Sequence, residues 1–477
     1  MMALMLTEGG QKIGFGHITR CRALADALNK VGFEVTFVVR GDSSVRHFFY
    51  GQTDHFFDWT KDSARLNRLL VDAGVVIIDS YLAVRHFYEK ISNLPVLSVF
   101  VDDYMRLNYP QGILVNGGIG TEKFNYPNLG PYPCLLGSKY GLVRKEFLQI
   151  RRRALKRNVR DVLVTFGGMK RGRFAMGFLR WLAGSFPDSR FHVVLSSRTD
   201  LEQSLSTSNL KFYFGLSAIR MRDLMLRCDA AVTGGGQTTN ELCCCGIPMI
   251  GIRFANNQKL NLRGWEKSGV LLPVGDWKDK RLFQRIAARL SGMTYAKRIL
   301  MSRRARKLVD GWGALRTAMI IKKFHLQLFP AKKNDSVRIF RWANDEKTRA
   351  MSFNTERIRW EDHQKWFAAQ LKRRDIEFFL AYLGRKRIGS VRFKKNQFHA
   401  TISITIAPRF RGQGLGARLI RAASALMFER FSLRRIDAFI KSENKISKKI
   451  FWQAGFRLLR RVRIMGQQAE HWVMKKT

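Results

Sequence analysis

Short apolar runs alternate with amphipathic stretches along the first 150 residues of the chain. Short runs of mainly branched apolar side chains are typical of strands buried in a parallel sheet. Residues 18–31 instead have apolar positions at helical spacing and are followed by Gly32, a common helix terminator. This alternation predicts a doubly wound, Rossmann-like domain over residues 1–150. Its predicted strands are residues 1–6, 35–39, 75–78 and 96–101.

The same rhythm restarts after a basic, polar stretch near residue 151. An apolar run at residues 161–166 ends in Gly167 and Gly168 and predicts the first strand of a second α/β domain, over residues 151–328. Two such domains in tandem predict a cleft between them, where ligands commonly bind. The further predicted strands of this domain are residues 190–195, 230–233 and 248–252.

The pattern changes near residue 330. Residues 329–336, Phe-Pro-Ala-Lys-Lys-Asn-Asp-Ser, have the composition of a linker. Beyond them strands follow one another closely, and a glycine-rich turn then opens a helix at residues 417–428. We therefore predict an α+β domain over residues 336–477. Its predicted strands include residues 377–382, 387–393 and 400–406.

The composition is that of a folded protein of about three domains, with 477 residues, 46% apolar and 26% charged. Three of the six cysteines, Cys243, Cys244 and Cys245, are adjacent, which favours reduced thiols over a disulfide framework or a metal site. No run reaches the roughly 18 apolar residues of a membrane helix. Residues 1–6 are too short for a signal peptide, so we expect a cytoplasmic protein without a membrane span.

The formal net charge of +48 raises the hypothesis of a nucleic-acid partner. Residues 278–323 are especially basic. However, Lys and Arg are spread along the chain within segments of globular patterning, and no nucleic-acid-binding motif accompanies them. We therefore expect no dedicated nucleic-acid role and attribute the charge to overall composition or to attraction to anionic partners.

A glycine-rich turn follows the first predicted strand and opens the first helix, from Gly9 to Arg20. Gly14 and Gly16 let backbone N–H groups approach a ligand at the positive end of the helix dipole. His17 lies at the start of that helix. An unperturbed imidazole has a pKa of about 6.5, which suits proton transfer at neutral pH. A capping or structural histidine is the alternative, and the spacing is not that of a dinucleotide site.

A second turn of this kind lies in the predicted second domain. Gly235, Gly236, Gln237 and Thr238 follow a strand and open a helix, so their N–H groups suit a diphosphate. Glu241 lies one turn into that helix, where its carboxylate suits ribose hydroxyls. The order is completed by Gly246-Ile247-Pro248 and by Asn256, Asn257, Gln258 and Asn261.

These segments resemble the UDP-2,4-diacetamido-2,4,6-trideoxy-sugar hydrolases of pseudaminic acid synthesis, which share the two-domain GT-B fold of a peptidoglycan UDP-N-acetylglucosamine transferase. The resemblance implies that His17 is the base that activates water at C1 of the sugar and that Tyr81 lies near the reacting sugar. It also implies that UDP binds at the 235–241 turn, that Asn257 helps to hold the substrate, and that no metal is needed. The segments that carry it are residues 13–20, 79–81, 101–103, 137–147 and 234–261. With Gly14 and Gly16, Arg20 and Asp79 complete the expected substrate site.

Two positions depart from that family. The chain has Thr7-Glu8-Gly9-Gly10 where the family usually has Asp-Ser, and Met169-Lys170 after Gly167-Gly168 where Gly-Gly-x-Asp is common. These departures leave the stereochemistry of the sugar open.

The α+β domain carries a second motif, Arg411-Gly412-Gln413-Gly414-Leu415-Gly416, between a strand and a helix. Its successive N–H groups suit a pyrophosphate at a helix N-terminus. The motif resembles the coenzyme A loop of GNAT acetyltransferases, which implies direct acetyl transfer from acetyl-CoA to an amine. The resemblance implies cofactor contacts from Ile404, Ile406, Arg411, Gly412, Gly414, Gly416 and Asn444.

The family often has a proton-donating tyrosine at the position of Phe451, and phenylalanine cannot donate a proton. Glu443 and His399 are the two substitutes that the sequence offers, each with an alternative as an ordinary surface residue, so no general acid is assigned. Together the two halves predict a bifunctional enzyme that acetylates a UDP-4-amino sugar and then hydrolyses it. A GT-B glycosyltransferase with a fused acetyltransferase is one alternative, and a basic nucleic-acid- or surface-binding protein with degenerate catalytic modules is the other.

Overall fold

The computed structural model describes residues 2–11, 13–49, 54–94, 96–127, 129, 132–151, 154–166, 172–195, 205, 207–383 and 386–476. It divides into two compact units: residues 1–88 with 98–320, and residues 89–97 with 321–477. The prediction of a mixed α/β fold, with parallel sheets first and an α+β domain last, is confirmed. The glycines Gly167 and Gly168, with Met169 and Lys170, lie outside the described residues.

A seven-stranded sheet with parallel pairings forms the first part of the chain, in the order β3-β2-β1-β4-β5-β6-β7. The order reverses between β1 and β4, whose side chains are buried almost throughout, as their continuous apolar runs require. Its strands are β1 (Met2–Gly9), β2 (Glu34–Gly41), β3 (His55–Phe56), β4 (Val75–Asp79), β5 (Leu97–Val101), β6 (Ile113–Asn116) and β7 (Cys134–Leu136). The helices along this part are α1 (Gly16–Lys30), α2 (Ser63–Leu70) and α3 (Arg85–Ser92).

A second parallel sheet of six strands follows in the order β10-β9-β8-β11-β12-β13, with its reversal between β8 and β11. The predicted boundary at residue 150 falls between the two sheets. Its strands are β8 (Asp161–Thr165), β9 (Arg190–Leu195), β10 (Leu210–Phe214), β11 (Ala230–Gly234), β12 (Met249–Arg253) and β13 (Leu271–Asp276). The helices are α4 (Gly172–Ser185), α5 (Ala218–Arg227), α6 (Thr238–Cys245), α7 (Lys259–Lys267), α8 (Leu282–Ser291), α9 (Tyr295–Leu308) and α10 (Gly313–Phe324).

The C-terminal unit is built on a mainly antiparallel sheet in the order β14-β15-β16-β17-β18-β20-β19, in which β17 and β18 pair in parallel. Its strands are β14 (Leu326–Pro330), β15 (Ile376–Leu383), β16 (Lys386–Asn396), β17 (His399–Ile406), β18 (Arg435–Lys441), β19 (Arg457–Ile464) and β20 (Gln467–Lys475). The helices are α11 (Ser336–Ala343), α12 (Glu346–Ala350), α13 (Trp360–Lys372), α14 (Leu415–Arg430) and α15 (Lys445–Ala454).

The predicted linker at residues 329–336 is wrong. Phe329 and Pro330 end β14, an edge strand that pairs with β15, and residues 333–335 form a short 3-10 helix before α11. Pro330 is tolerated there because an edge strand leaves one side without ladder hydrogen bonds. The α+β domain therefore begins at β14, about ten residues before the predicted start at residue 336.

In the described part of the chain, no helix is both long and apolar enough to cross a bilayer. The same residues contain no group of three or more His, Cys, Asp or Glu side chains that could hold a metal ion.

Candidate functional site

The turn after β1 and the carboxyl end of β4 bring His17 and Asp79 together, although they lie 62 residues apart in the sequence. The strand order reverses between β1 and β4, and in open α/β sheets ligands bind outside the carboxyl ends of strands at such a point. The Nδ1 atom of His17 lies 2.6 Å from Oδ1 of Asp79, and both side chains are buried. The carboxylate fixes the ring orientation and leaves Nε2 as the nitrogen available to a ligand.

Arg20, one helical turn after His17, joins two carboxylates. Its Nε and Nη2 each donate to Asp79 at 2.6 Å, and its Nη1 donates to Asp103 at 2.5 Å. Arg20 and Asp79 were predicted to bind substrate, but protein partners occupy both Asp79 oxygens and most of the guanidinium. This geometry positions His17, and the contact of Arg20 and Asp79 with a substrate stays a prediction.

Tyr81 completes this cluster. Its hydroxyl donates to Asp103, and its ring meets the His17 ring edge-on, with centroids 4.4 Å apart and planes at 86°. Asp103 belongs to residues 101–103, one of the segments that carry the resemblance, but the sequence predicts no role for it. It holds Arg20 and Tyr81 together from the end of β5, the strand next to β4.

The Thr7-Glu8 departure has a structural explanation. Glu8 is fully buried at the end of β1, where Oε2 accepts from the Ser80 hydroxyl at 2.5 Å and Oε1 accepts from the Tyr81 N–H at 2.6 Å. Glu8 therefore fixes the turn that carries Tyr81. In the sequence, this role is indicated only by an acidic residue that follows closely on an apolar run.

The charges of the cluster stabilise one another. Burial opposes ionisation of Asp79, but Arg20 and His17 outweigh it and hold the pKa of Asp79 well below its usual range. Burial likewise acts to raise the pKa of Asp103, and Arg20 lowers it overall. Burial and the neighbouring Asp103 raise the pKa of Tyr81, so its phenol stays protonated at neutral pH and donates a hydrogen bond.

Asp79→Asn is expected to destabilise this part of the fold at pH 7 by about 3 kcal/mol. That is the lower end of the cost of breaking a buried ion pair, because Arg20 keeps Asp103. The folded-state pKa of Asp79 is depressed, so its contribution is full above its unfolded pKa of about 3.9 and is lost as the pH falls below that value. Hydrogen exchange by mass spectrometry at peptides covering β1 and β4 measures the change. The exposed Asp72→Asn is the control, and equal protection in both variants would contradict the expectation.

The second glycine turn also lies at a reversal of strand order, at the carboxyl end of β11. Gly235 is buried, Gly236 is exposed, and Gln237 immediately precedes α6, whose first residue is Thr238. An added Cβ at Gly236 would meet no atom within 4 Å, so its backbone is open to a ligand. The Gln237 side chain donates to the Leu142 carbonyl at 2.7 Å and orients the turn.

Glu241 is buried and forms a two-pronged ion pair with Arg144, at 2.6 Å to Oε1 and 3.0 Å to Oε2. The predicted ribose acceptor is therefore already held by a cation, although each carboxylate oxygen keeps a second acceptor position. Asn257 is exposed in a 3-10 turn before α7. Its neighbour Gln258 instead contacts the glycine turn, accepting from the Gly235 N–H at 3.4 Å.

In the C-terminal unit the loop between β17 and α14 has two glycines in the left-handed region, Gly412 at φ +76° and Gly414 at φ +69°. Gly414 is the residue that precedes α14, and a Cβ on either glycine would meet no atom within 4 Å. Gly416 has a different function: its Cβ would lie 2.9 Å from Ile450, so glycine allows α14 and α15 to pack closely. The loop thus presents open backbone at a helix N-terminus.

Two other predicted cofactor contacts have protein partners. Arg411 pairs with Asp345 at 2.6 Å and donates to the Thr348 hydroxyl at 2.7 Å and to the Ile406 carbonyl at 3.3 Å. Asn444 caps α15 by accepting from the Ser447 N–H at 2.9 Å. Both therefore stabilise the loop and helix, and their expected contact with a cofactor stays a prediction.

The β17–β18 ladder pairs only His399–Thr401 with Arg435–Asp437, although β17 continues to Ile406 and β18 to Lys441. Ile404 and Ile406 pair with β16 on one side only. The opposite backbone edge of β17 therefore has no strand partner over its second half in the described part of the chain. This edge suits an extended ligand arm that hydrogen-bonds to the backbone.

The two candidate substitutes for the missing proton donor, His399 and Glu443, are poorly placed for that role. His399 lies far along β17 from the glycine loop, and Glu443 is mostly exposed. Phe451 is buried against Phe456. His399 begins β17, seven residues before Ile406, which is roughly 23 Å along a strand. The Glu443 side chain is 67% exposed and lies 3.7 Å from Lys441. Neither side chain is therefore assigned as a general acid.

Comparison with known protein families assigns the C-terminal part. Residues 325–457 match the family model described as "Acetyltransferase (GNAT) domain". An aminoglycoside acetyltransferase, AAC(6')-Ib, solved with ribostamycin and coenzyme A, is 19% identical with a TM-score of 0.30, covering 32% of this chain and 93% of that one.

Three curated proteins are similar to this chain. An uncharacterized protein of Methanocaldococcus jannaschii is 25% identical over 270 residues, covering 52% of this chain and 55% of the relative. The spore coat polysaccharide biosynthesis protein SpsG of Bacillus subtilis is 21% identical, covering 68% of this chain and 98% of the relative. The Helicobacter pylori pseudaminic acid cytidylyltransferase and UDP-2,4-diacetamido-2,4,6-trideoxy-beta-L-altropyranose hydrolase is 22% identical, covering 54% and 45%.

The matched segments span about half of the archaeal and H. pylori proteins, 55% and 45% of their lengths. The resemblance to the UDP-sugar hydrolases is confirmed, at low identity, by the H. pylori relative. The resemblance to the GNAT acetyltransferases is confirmed by the family model. The chain joins a C-terminal GNAT acetyltransferase domain to an α/β part that is homologous to this hydrolase-containing protein of H. pylori.

Proposed function

We propose that the chain hydrolyses a UDP-2,4-diacetamido-2,4,6-trideoxyhexose to the free sugar and UDP, and that its GNAT domain first N-acetylates the UDP-4-amino precursor with acetyl-CoA. Both steps belong to nonulosonic (pseudaminic) acid synthesis. The observation that carries the hydrolase is His17, fixed by Asp79 at the switch point of the first sheet. The name of the H. pylori relative includes a hydrolase of this kind, which supports the same reaction.

In the hydrolytic step, His17 accepts a proton from water through Nε2 as the water oxygen attacks C1 of the sugar. The C1–O bond breaks, and its electron pair leaves with the UDP phosphate. Asp79 stabilises the imidazolium that forms, since its carboxylate accepts from Nδ1. Tyr81, whose ring packs on His17, forms the wall beside the reacting sugar.

UDP is assigned to the second glycine turn. The N–H groups at the start of α6 and the positive end of that helix receive the diphosphate. Glu241 accepts a ribose hydroxyl on the acceptor position that its pair with Arg144 leaves unused. In a GT-B arrangement of the two sheets, this turn and His17 act on the same substrate.

In the acetylation step, acetyl-CoA lies with its pyrophosphate on the N–H groups of the Gly412–Gly416 loop. Its pantetheine arm follows the unpaired edge of β17 through the backbone of Ile404 and Ile406. The sugar amine then attacks the thioester carbonyl directly. The acetylated UDP-sugar is the substrate of the hydrolytic step, so one chain performs two consecutive reactions.

The test is an end-point assay with a UDP-4-amino-4,6-dideoxy-N-acetylhexosamine and acetyl-CoA and with no other acceptor. Mass spectrometry is expected to find free CoA, UDP and the diacetamido sugar, and omission of acetyl-CoA is expected to suppress UDP release. Release of UDP only after a sugar or lipid acceptor is added would establish a glycosyltransferase instead. Absence of all products together with salt-sensitive retention on DNA would favour a polyanion-binding protein.

A further inference from the structure

The GNAT domain contains a buried histidine–carboxylate pair that the sequence analysis missed. The Nε2 atom of His471, on β20, lies 2.7 Å from Oδ1 of Asp437, on the neighbouring strand β18. Only 6% of the His471 side chain and 8% of the Asp437 side chain are exposed. The Nε atom of Arg435 lies 3.1 Å from the same carboxylate oxygen.

The second ring nitrogen of His471 has no partner among the residues that the structure describes. Nδ1 is buried and makes no hydrogen bond to any described residue. Because Asp437 accepts the proton carried by Nε2, the favoured tautomer has an unprotonated Nδ1. Buried polar atoms are normally paired, and an exception calls for a structural or chemical reason. A buried imidazole with one nitrogen held by a carboxylate and a lone pair on the other is the arrangement of a general base.

The pair lies where β17 and β18 separate. The ladder between those strands ends at Thr401 and Asp437, and His471 is paired with Phe439, two residues further along β18. By this register His471 is level with residue 403 of β17, about 10 Å from Ile406 along the strand. That is the part of β17 whose edge we assign to the pantetheine arm.

The face that carries His471 also carries a partly exposed aromatic side chain. Phe439 stacks on the imidazole with centroids 4.6 Å apart, yet is 38% exposed. The chain from Ala350 to Phe353 lies over the same face, because Lys441 donates to the Ala350 carbonyl and Gln467 to the Phe353 carbonyl. An exposed aromatic ring beside a buried base is suited to a sugar that brings an amine.

We infer that His471 is the general base of the acetyl transfer and that Asp437 is its positioning residue, an inference that rests on the proposed function. The amine nitrogen attacks the thioester carbonyl carbon, and its proton passes to Nδ1 of His471. The C–S bond breaks with its electron pair on sulfur, and the CoA thiolate takes a proton from solvent. The amide product and free CoA balance the reaction.

His471→Gln is the test variant, and His399→Gln, on β17 of the same sheet, is the matched control. The acetylated sugar is quantified by mass spectrometry from pH 5 to 9, and coenzyme A binding is measured by calorimetry. His471→Gln is expected to lower kcat by about 100-fold or more and to remove the acidic limb of kcat/KM, with CoA affinity unchanged. The control is expected to stay within about twofold of wild type. The charged side chains around His471 are Asp437, Arg435, Lys441 and Arg460, the last being opposite His471 on β19.

A His471→Gln variant with wild-type kcat and an unchanged acidic limb would overturn the inference. If that variant no longer binds CoA, Asp437→Asn replaces it, since this change keeps the imidazole but removes its anchor, and the same two readouts decide. If the wild type itself does not acetylate the sugar, the proposed acceptor is wrong. The comparison is then made on acceptor-free hydrolysis of acetyl-CoA, where equal rates in wild type and His471→Gln again reject the base.

Discussion

His17→Ala is expected to lower UDP release by about 100- to 10,000-fold while acetylation of the amino sugar continues. The substitution removes the only group of the cluster with a nitrogen placed to accept a proton from water. Asp79 keeps both hydrogen bonds from Arg20, so the cluster itself survives. In the end-point assay the variant is therefore expected to produce free CoA and to accumulate the diacetamido UDP-sugar.

Two further variants separate loss of the base from loss of structure. His17→Gln retains an amide donor toward Asp79 but cannot take up a proton, so it is expected to be as inactive as the alanine variant. His86→Ala, an exposed change in α3, is expected to release UDP at the wild-type rate. UDP release by His17→Ala within about fivefold of wild type would reject His17 as the base. Loss of both products would indicate a folding defect.

Much of the fold follows from local patterns, because buried parallel strands are continuous apolar runs. The strands β4, β8, β9 and β16 begin within one residue of their predicted starts. The pattern fails where a strand lies at an edge and one of its faces is solvated. The end of β14, Phe329 and Pro330, belongs to a stretch with the composition of a linker, and β19 has four arginines among eight residues.

The residues of the candidate site were identifiable, but not all of their partners. His17, Asp79 and Tyr81 belong to motifs, and the reversal of strand order brings the ends of β1 and β4 side by side. Nothing in the spacing indicated that Arg20 would join Asp79 to Asp103. Such pairs depend on which strands become neighbours and at what register, which a single sequence does not encode locally.

The same limit applied to Arg144 and Glu241, which lie 97 positions apart, and to Asp437 and His471. Arg144 and Glu241 both lie in segments that carry the resemblance, yet their spacing does not show that they pair, and Asp437 and His471 belong to no motif. An interior carboxylate is costly unless it is paired, so an acidic residue within an apolar run is itself a signal that a cation or histidine will meet it. Asp437, between Ile436 and Ala438, is such a residue.

Gly414→Val is expected to abolish acetylation, with coenzyme A affinity lowered at least about 100-fold, and to leave hydrolysis of the diacetamido UDP-sugar intact. Gly414 has φ +69°, which a β-branched residue adopts only with strain, and its added atoms would project into the open space before α14. That space is where the pyrophosphate is proposed to meet the helix N-terminus. Calorimetry with coenzyme A and the assay with pre-acetylated UDP-sugar measure the two effects.

Gly466→Val is the matched control, because Gly466 has φ +77°, and a Cβ there also meets no atom within 4 Å. The two substitutions therefore carry similar backbone strain, roughly 1–2 kcal/mol each, but Gly466 lies in the turn between β19 and β20. If both variants lose coenzyme A binding equally, strain explains the loss and the loop is not the site. If only Gly414→Val loses it while UDP release from the pre-acetylated sugar persists, the two reactions are separable within one chain. A parallel loss of UDP release would instead mean that the hydrolytic part depends on an intact GNAT domain.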